Sequence, residues 1–202
     1  MTIHTLCLNI LILIVLICPG TTVQAFFWHN EKKELLNILS YILLFCMIIT
    51  VFPFKYTFIL ELRLYYCLIP VLALLFIAGE LLLNGIFSKK KISNLDYVMV
   101  NKKIEYVYVL IIPIFEEFIY RYAWNEILSQ LIEKSSIIIL FSATAYASNH
   151  LFLGKRVFFS KIVTGLFYGG IYLYTGDLVF VIFIHILANI YFTIFSRRVE
   201  NR

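Results

Sequence analysis

Three short spacings hold the side chains of this 202-residue chain that can do chemistry. Glu116, Glu117 and Arg121 interrupt the otherwise apolar stretch I-I-P-I-F-E-E-F-I-Y-R; Tyr146 and His150 bound Y-A-S-N-H; His185 and Asn189 bound H-I-L-A-N. At the centre of a bilayer each charge costs roughly 2.5 to 3.5 kcal/mol on insertion scales, so three in one apolar helix require a function or a tight partner network. Glu117 and Arg121 are spaced i, i+4 and share a helix face, in the orientation that favours an ion pair. Glu116 is turned by about 100° from Glu117 and has no partner on its own helix. His185 and Asn189, again i, i+4, project an imidazole and a carboxamide toward one point.

A carboxylate, two histidines and an amide in one buried pocket suit hydrolysis of a peptide bond. Glu116 is the candidate general base for a water molecule, and His150 is the group to orient that water or share its proton. Attack on the carbonyl develops negative charge, which donors from His185 and Asn189 stabilise; one such donor is worth roughly 3 to 4 kcal/mol in other acyl-transfer enzymes. No covalent intermediate is needed. Ser142 and Ser148 lack a G-x-S-x-G context, and no cysteine falls in this half of the chain, so no serine or cysteine nucleophile is indicated. Glu116, Glu117, His150 and His185 are also possible zinc ligands. The adjacent carboxylates diverge, however, and Arg121 repels a cation, so the expectation is no metal and no cofactor, with metal-dependent hydrolysis on the same residues as an alternative.

The elements that must carry these groups are membrane helices. The chain is 62% hydrophobic and 14% charged, with a mean hydropathy of +0.91, far from a soluble domain. Seven apolar segments approach the roughly 20 residues that span a bilayer: Ile3–Phe27, Leu35–Phe54, Leu64–Leu83, Tyr106–Leu128, Ile137–Leu153, Val157–Tyr174 and Leu178–Phe195. The predicted fold is an all-α polytopic transmembrane bundle of about seven spanning helices. Residues 1–104 form N-terminal helices with a cytoplasmic connection, and residues 105–202 form a catalytic core of four helices. With a rise of about 1.5 Å per residue, Glu116 lies about 15 Å deep and His150, His185 and Asn189 within reach of the same level. Structural polar residues would have no reason to share that depth on three helices.

Alternate connections carry Lys32 and Lys33, then Lys89 to Lys91 with Lys102 and Lys103, then Lys155, Arg156 and Lys161, then Arg197, Arg198 and Arg202; the other side has Lys55, Arg63 and Lys134. The positive-inside rule predicts a multi-pass protein of the bacterial plasma membrane with its N-terminus outside and its C-terminus in the cytoplasm. An apolar run from Leu6 to Cys18 followed by Val23-Gln24-Ala25 imitates a cleavable signal, but cleavage there would put the lysine-rich connections outside. The net charge of +5 does not indicate nucleic acid, since the basic residues are not interleaved with stacking aromatics. The partners are the lipid bilayer and a peptide or membrane-protein substrate. Cys7, Cys18, Cys46 and Cys67 show no C-x-x-C spacing and read as core or lipid-facing residues. In the first three helices only Glu80 stands out, read as a carboxylate near interfacial water, and Pro70 is expected to kink the third helix.

At these residues the chain resembles a known family. E-E-F-I-Y-R is similar to an E-E-x-x-x-R motif, Y-A-S-N-H to F-x-x-x-H and H-I-L-A-N to H-x-x-x-N, the three motifs of the CPBP family of CAAX protease and bacteriocin-processing intramembrane proteases, also called Abi proteins. The glycine-rich approach G-L-F-Y-G-G-I-Y-L-Y-T-G-D-L also resembles that family's. The resemblance covers about Ile111 to Asn189. It implies a glutamate-dependent endopeptidase in which Glu116 activates water with His150, His185 and Asn189 form the oxyanion site, and Glu117 with Arg121 supports the pocket. It further implies CAAX-type trimming, maturation of bacteriocins or signalling precursors, or self-immunity. Tyr146 departs from the family's usual phenylalanine while keeping an aromatic. A transporter or proton relay and a non-catalytic membrane regulator are the competing readings; against transport stand the small size and the absence of repeated halves.

Overall fold

The computed structural model describes residues 3–17, 33–51, 64–87, 102–151 and 154–200. They form α1 (Ile3–Leu16), α2 (Lys33–Val51), α3 (Ile69–Phe87), α4 (Lys102–Glu117), α5 (Ser135–Ser148), α6 (Lys155–Thr175) and α7 (Leu178–Glu200). The helical course of α4 continues through a π-helical stretch, Phe118–Ala123, into a last α-helical turn, Trp124–Leu128. There is no strand among the described residues, as the apolar runs without period-2 alternation lead one to expect. Each of the seven apolar segments overlaps one of the helices. By length and composition Leu64–Leu82 and Lys155–Thr175 suffice to cross a membrane, while Cys7–Leu16, Leu35–Ile49, Ser135–Ser148 and Leu178–Ile194 are shorter apolar helices. Cys18, the Val23-Gln24-Ala25 stretch and the lysine triplet at Lys89 to Lys91 lie outside the described residues.

Two local expectations are corrected. Pro70 does not kink α3, because it is the second residue of that helix, directly after a 3-10 turn at Leu64–Leu68; there its missing N–H would have had no intrahelical acceptor. The fifth helix stops at Ser148, so His150 sits in the turn beyond it, its N–H bonded to the Ala147 carbonyl at 2.9 Å.

The bundle is apolar outside and polar within. Leu11 and Ile14 on α1, Leu43 on α2, Leu75 on α3 and Leu140 on α5 are more than half exposed, whereas Asn9, Asn37, Glu116, Glu117, Arg121 and His185 are buried. Water would reverse that distribution, and lipid favours it. Two apolar clusters fill the interior. One joins α1, α2 and α5 to the π stretch through Tyr41, Ile119, Tyr120, Ile127 and Tyr146. The other joins α3, α6 and α7 through Ala73, Ile77, Tyr168, Ile184 and Ala188. The charged groups lie along the seam between them.

Close approach of α5 and α6 depends on Gly165 and Gly169, the two ends of G-L-F-Y-G. A Cβ on Gly165 would come within 2.8 Å of the Ala143 Cα, and one on Gly169 within 2.8 Å of the Ile139 Cγ2. The paired positions run in opposite directions along the two helices, an antiparallel version of the small-residue contact common between membrane helices. α6 then ends on Gly176, in the left-handed region at φ +64, with its N–H on the Tyr172 carbonyl at 2.8 Å. Asp177 caps α7 by accepting from the Phe180 N–H at 3.0 Å and also accepts from the hydroxyls of Tyr65 and Tyr66 at 2.7 and 2.8 Å. This turn sets α7 beside α6 and fastens both to the start of α3.

Candidate active site

Glu116 and Glu117 end the regular part of α4, one turn beyond the buried Pro113. From there the hydrogen-bond ladder widens: the Trp124 N–H reaches the Ile119 carbonyl, five residues back. Such π turns gather at functional sites. Here every residue from Glu116 to Trp124 is buried, so both carboxylates enter the interior although consecutive positions on a helix diverge by about 100°.

Glu117 is fully enclosed and doubly engaged. One oxygen is 2.9 Å from Arg121 Nε and the other 2.7 Å from His185 Nδ1. The expected i, i+4 ion pair is therefore present. The Arg121 guanidinium also donates to the Gly165 carbonyl at 3.4 Å, and its Cζ lies 4.9 Å from the centre of the Tyr146 ring and 5.5 Å from that of Tyr168. The cation is balanced by a carboxylate and two aromatic faces, while its buried Nη1 has no hydrogen-bond partner among the described residues.

Glu116 has no partner on its own helix, as its rotation from Glu117 requires. Its carboxylate accepts from the Tyr41 hydroxyl at 3.3 Å and from the Asn149 amide at 3.5 Å, and Asn149 also donates to the Tyr41 oxygen. Its second oxygen faces His185 Nε2 across 3.9 Å. That separation exceeds a direct hydrogen bond and suits one bridging oxygen. The His185 ring is held in plane by stacking on Tyr168, centroids 4.7 Å apart and interplanar angle 27°. With the Nδ1 proton directed at Glu117, Nε2 is the nitrogen presented to Glu116.

The other expected residues fall around this centre. Asn189 is half-buried on α7, one turn beyond His185, and its side chain takes no hydrogen-bond partner among the described residues. Tyr146 is buried beside both histidine rings, with centroids 5.1 Å from His150 and 6.2 Å from His185. His150 does not touch Glu116; its Nδ1 meets the Tyr146 carbonyl at 3.1 Å. Among the described residues no three His, Cys, Asp or Glu side chains are grouped to hold a metal ion. A cavity of about 170 Å³ is lined in part by Tyr120, Arg121, Asn125, Ser142 and Tyr172.

Three features were not anticipated. Tyr41 brings α2 into the site, and the signal available was the pair Asn37 and Tyr41, spaced i, i+4 in an otherwise apolar helix. Asn149, which precedes His150, is the member of Y-A-S-N-H that reaches Glu116. Glu80 is not turned to interfacial water but pairs with Lys161 on α6 at 2.7 Å.

The same segment was compared with known families. Residues 104–191 match the family described as type II CAAX prenyl endopeptidase Rce1-like. This is the CAAX protease family that the three motifs resemble. The matched span contains the carboxylates, Arg121, both histidines and Asn189. The match covers less than half of the chain, and the family it is similar to is one of membrane-embedded peptidases of the CAAX type. No curated protein and no solved structure is significantly similar to the chain.

Proposed function

We propose that this protein is an intramembrane endopeptidase that hydrolyses peptide bonds of membrane-associated or peptide precursors with a water molecule activated by Glu116. The observation that carries the reading is the 3.9 Å gap between the Glu116 carboxylate and His185 Nε2, a separation that a single oxygen can bridge. Glu116 takes the proton of that water as the oxygen attacks the substrate carbonyl. That proton passes from Glu116 to the Nε2 of His185, which with the Asn189 amide donates to the resulting oxyanion and then gives the proton to the leaving amine. Glu117 holds the imidazole through Nδ1 and is itself neutralised by Arg121. Asn149 and Tyr41 orient Glu116, and His150, held at the inner end of α5, assists proton movement at the mouth of the site. The substrates are CAAX-type or bacteriocin-like precursors, or proteins of self-immunity, in a bacterial plasma membrane, with the C-terminus of the enzyme in the cytoplasm.

The test is cleavage of a panel of precursor peptides by purified, detergent-solubilised protein, comparing wild type with Glu116→Gln, each with and without a strong chelator. Loss of the general base is expected to lower kcat by about 10²- to 10⁴-fold with the fold intact, and chelation to change nothing. Activity lost on chelation and restored by zinc would move the same residues into a metal-dependent mechanism. Full activity in Glu116→Gln would remove Glu116 from the chemistry.

A further inference from the structure

Hydrolysis consumes one water for every bond cut, yet Glu116, Glu117, Arg121 and His185 are all buried in a bundle whose outside is apolar. A substrate entering at the His150 mouth covers that approach, so water needs another. The cavity beside Arg121 offers one. Arg121 and Asn125 lie about 7.5 and 13.5 Å past Glu116 along the course of α4, while Leu173 and Gly176 belong to the end of α6. Of the lining residues, Arg121, Ser142 and Gly169 are buried and Leu173 and Gly176 exposed. The cavity therefore runs from the interior to the surface at the end of the bundle opposite His150. The connections there carry Gln130, Glu133, Lys134 and Asp177, polar residues that mark the edge of the hydrocarbon layer.

The walls indicate what fills it. A volume of about 170 Å³ is several times the roughly 10 to 15 Å³ that one water requires. Asn125, Ser142 and Tyr172 bring polar side chains from three helical elements, and such walls hold water where aliphatic ones stay dry. The buried Nη1 of Arg121 has no hydrogen-bond partner among the described residues. A charged donor left in that state is costly, so an acceptor beside it is favoured. With Glu116 ionised, the two carboxylates already outnumber the one guanidinium. A further anion would be repelled at low dielectric, whereas water is a neutral acceptor.

We propose that this cavity is the inlet for the hydrolytic water, entered at the edge formed by Leu173 and Gly176 and leading past Arg121 to the gap between Glu116 and His185. The proposal rests on the endopeptidase reading and gives the two reactants opposite approaches, substrate from the His150 end and water from the end of α6. Arg121 receives the innermost water on Nη1 while its Nε stays on Glu117.

The experiment fills the cavity and reads the water directly. X-ray hydroxyl-radical labelling marks tyrosines beside bound water; Tyr172 reports the cavity, and Tyr41, which donates to Glu116, reports the gap. Both are expected to be labelled in the full-length wild type. Asn125→Phe fills the cavity from α4 and Leu173→Trp from α6; each should remove both labels and lower kcat by at least about tenfold with KM unchanged. Asn125→Ala loses the same amide but leaves the passage open, so it should keep both labels and kcat, and thermal midpoints verify that each variant is folded. An unlabelled Tyr172 in wild type, a Tyr41 label that the filled variants leave unchanged, or full kcat in a filled variant without labels overturns the inlet and leaves the peptidase reading standing. If no peptide is cleaved, the labels alone decide: both lost on filling and kept in Asn125→Ala supports the inlet, and any other pattern overturns it.

Discussion

Arg121 shows how three charges persist inside an apolar helix. Its guanidinium meets Glu117 at 2.9 Å and lies against two tyrosine faces and the Gly165 carbonyl, so Arg121→Ala leaves an enclosed carboxylate without its counter-ion. The expected cost is about 3 to 5 kcal/mol, read as a lowered thermal midpoint in detergent; an unchanged midpoint would show that Glu117 does not depend on this cation. Arg121→Lys keeps the charge and loses the planar contacts, so it should fall between the two. At Glu116 the finer contact is the Tyr41 hydroxyl. Tyr41→Phe removes one hydrogen bond to a charged acceptor, worth about 1.5 to 3 kcal/mol, and is expected to lower kcat more than it raises KM. An effect on KM alone would make Tyr41 a substrate contact instead. The Glu117–Arg121 pair was legible in the sequence because the helix itself places i and i+4 together. Tyr41 was not, because 75 residues separate it from Glu116 and no local spacing encodes that meeting.

Helix boundaries and helix contacts were legible to different degrees. Apolar length predicted seven helices, yet the stop of α5 at Ser148 was hidden by the apolar residues Leu151 to Leu153 beyond it. The π stretch carries no composition signal either, since F-I-Y-R-Y-A would sit as well in an ordinary α-helix. The run G-L-F-Y-G-G announces close packing without saying which glycine is needed. Gly165 and Gly169 face α5 at distances that exclude a Cβ, while a Cβ on Gly170 meets nothing within 4 Å. Gly165→Ala should therefore force α5 and α6 apart and destabilise by about 1 to 3 kcal/mol. Gly170→Ala should be neutral or gain about 0.5 to 1 kcal/mol from helix propensity. Thermal unfolding of the two variants checks this directly, and equal midpoints would mean that the two helices are not locked at Gly165. Because the Gly165 carbonyl also receives Arg121, the first variant should lose activity together with stability.

At the scale of the molecule, a bundle with leucines outward and carboxylates inward encloses its polar chemistry in lipid, and that constrains the substrate more than any side chain does. A transmembrane helix hides its carbonyls in its own hydrogen bonds, and each backbone group left unsatisfied in hydrocarbon costs several kcal/mol. A scissile bond must therefore reach Glu116 already unwound, or be unwound on the enzyme at a cost that slows cleavage by at least about 10²-fold for two freed groups. Two substrates sharing one cleavage sequence test this, one with the bond in a flexible juxtamembrane tail and one with it at the centre of an uninterrupted Leu-Ala helix. The tail should be cut faster by that factor, and a Gly-Pro pair next to the buried bond should recover most of the difference by breaking the helix locally. Equal rates for tail and helix would mean that the enzyme itself unwinds its substrate. That work would fall to the widened turn at Phe118–Ala123, where the backbone ladder beside Glu116 is already loosened to a five-residue reach.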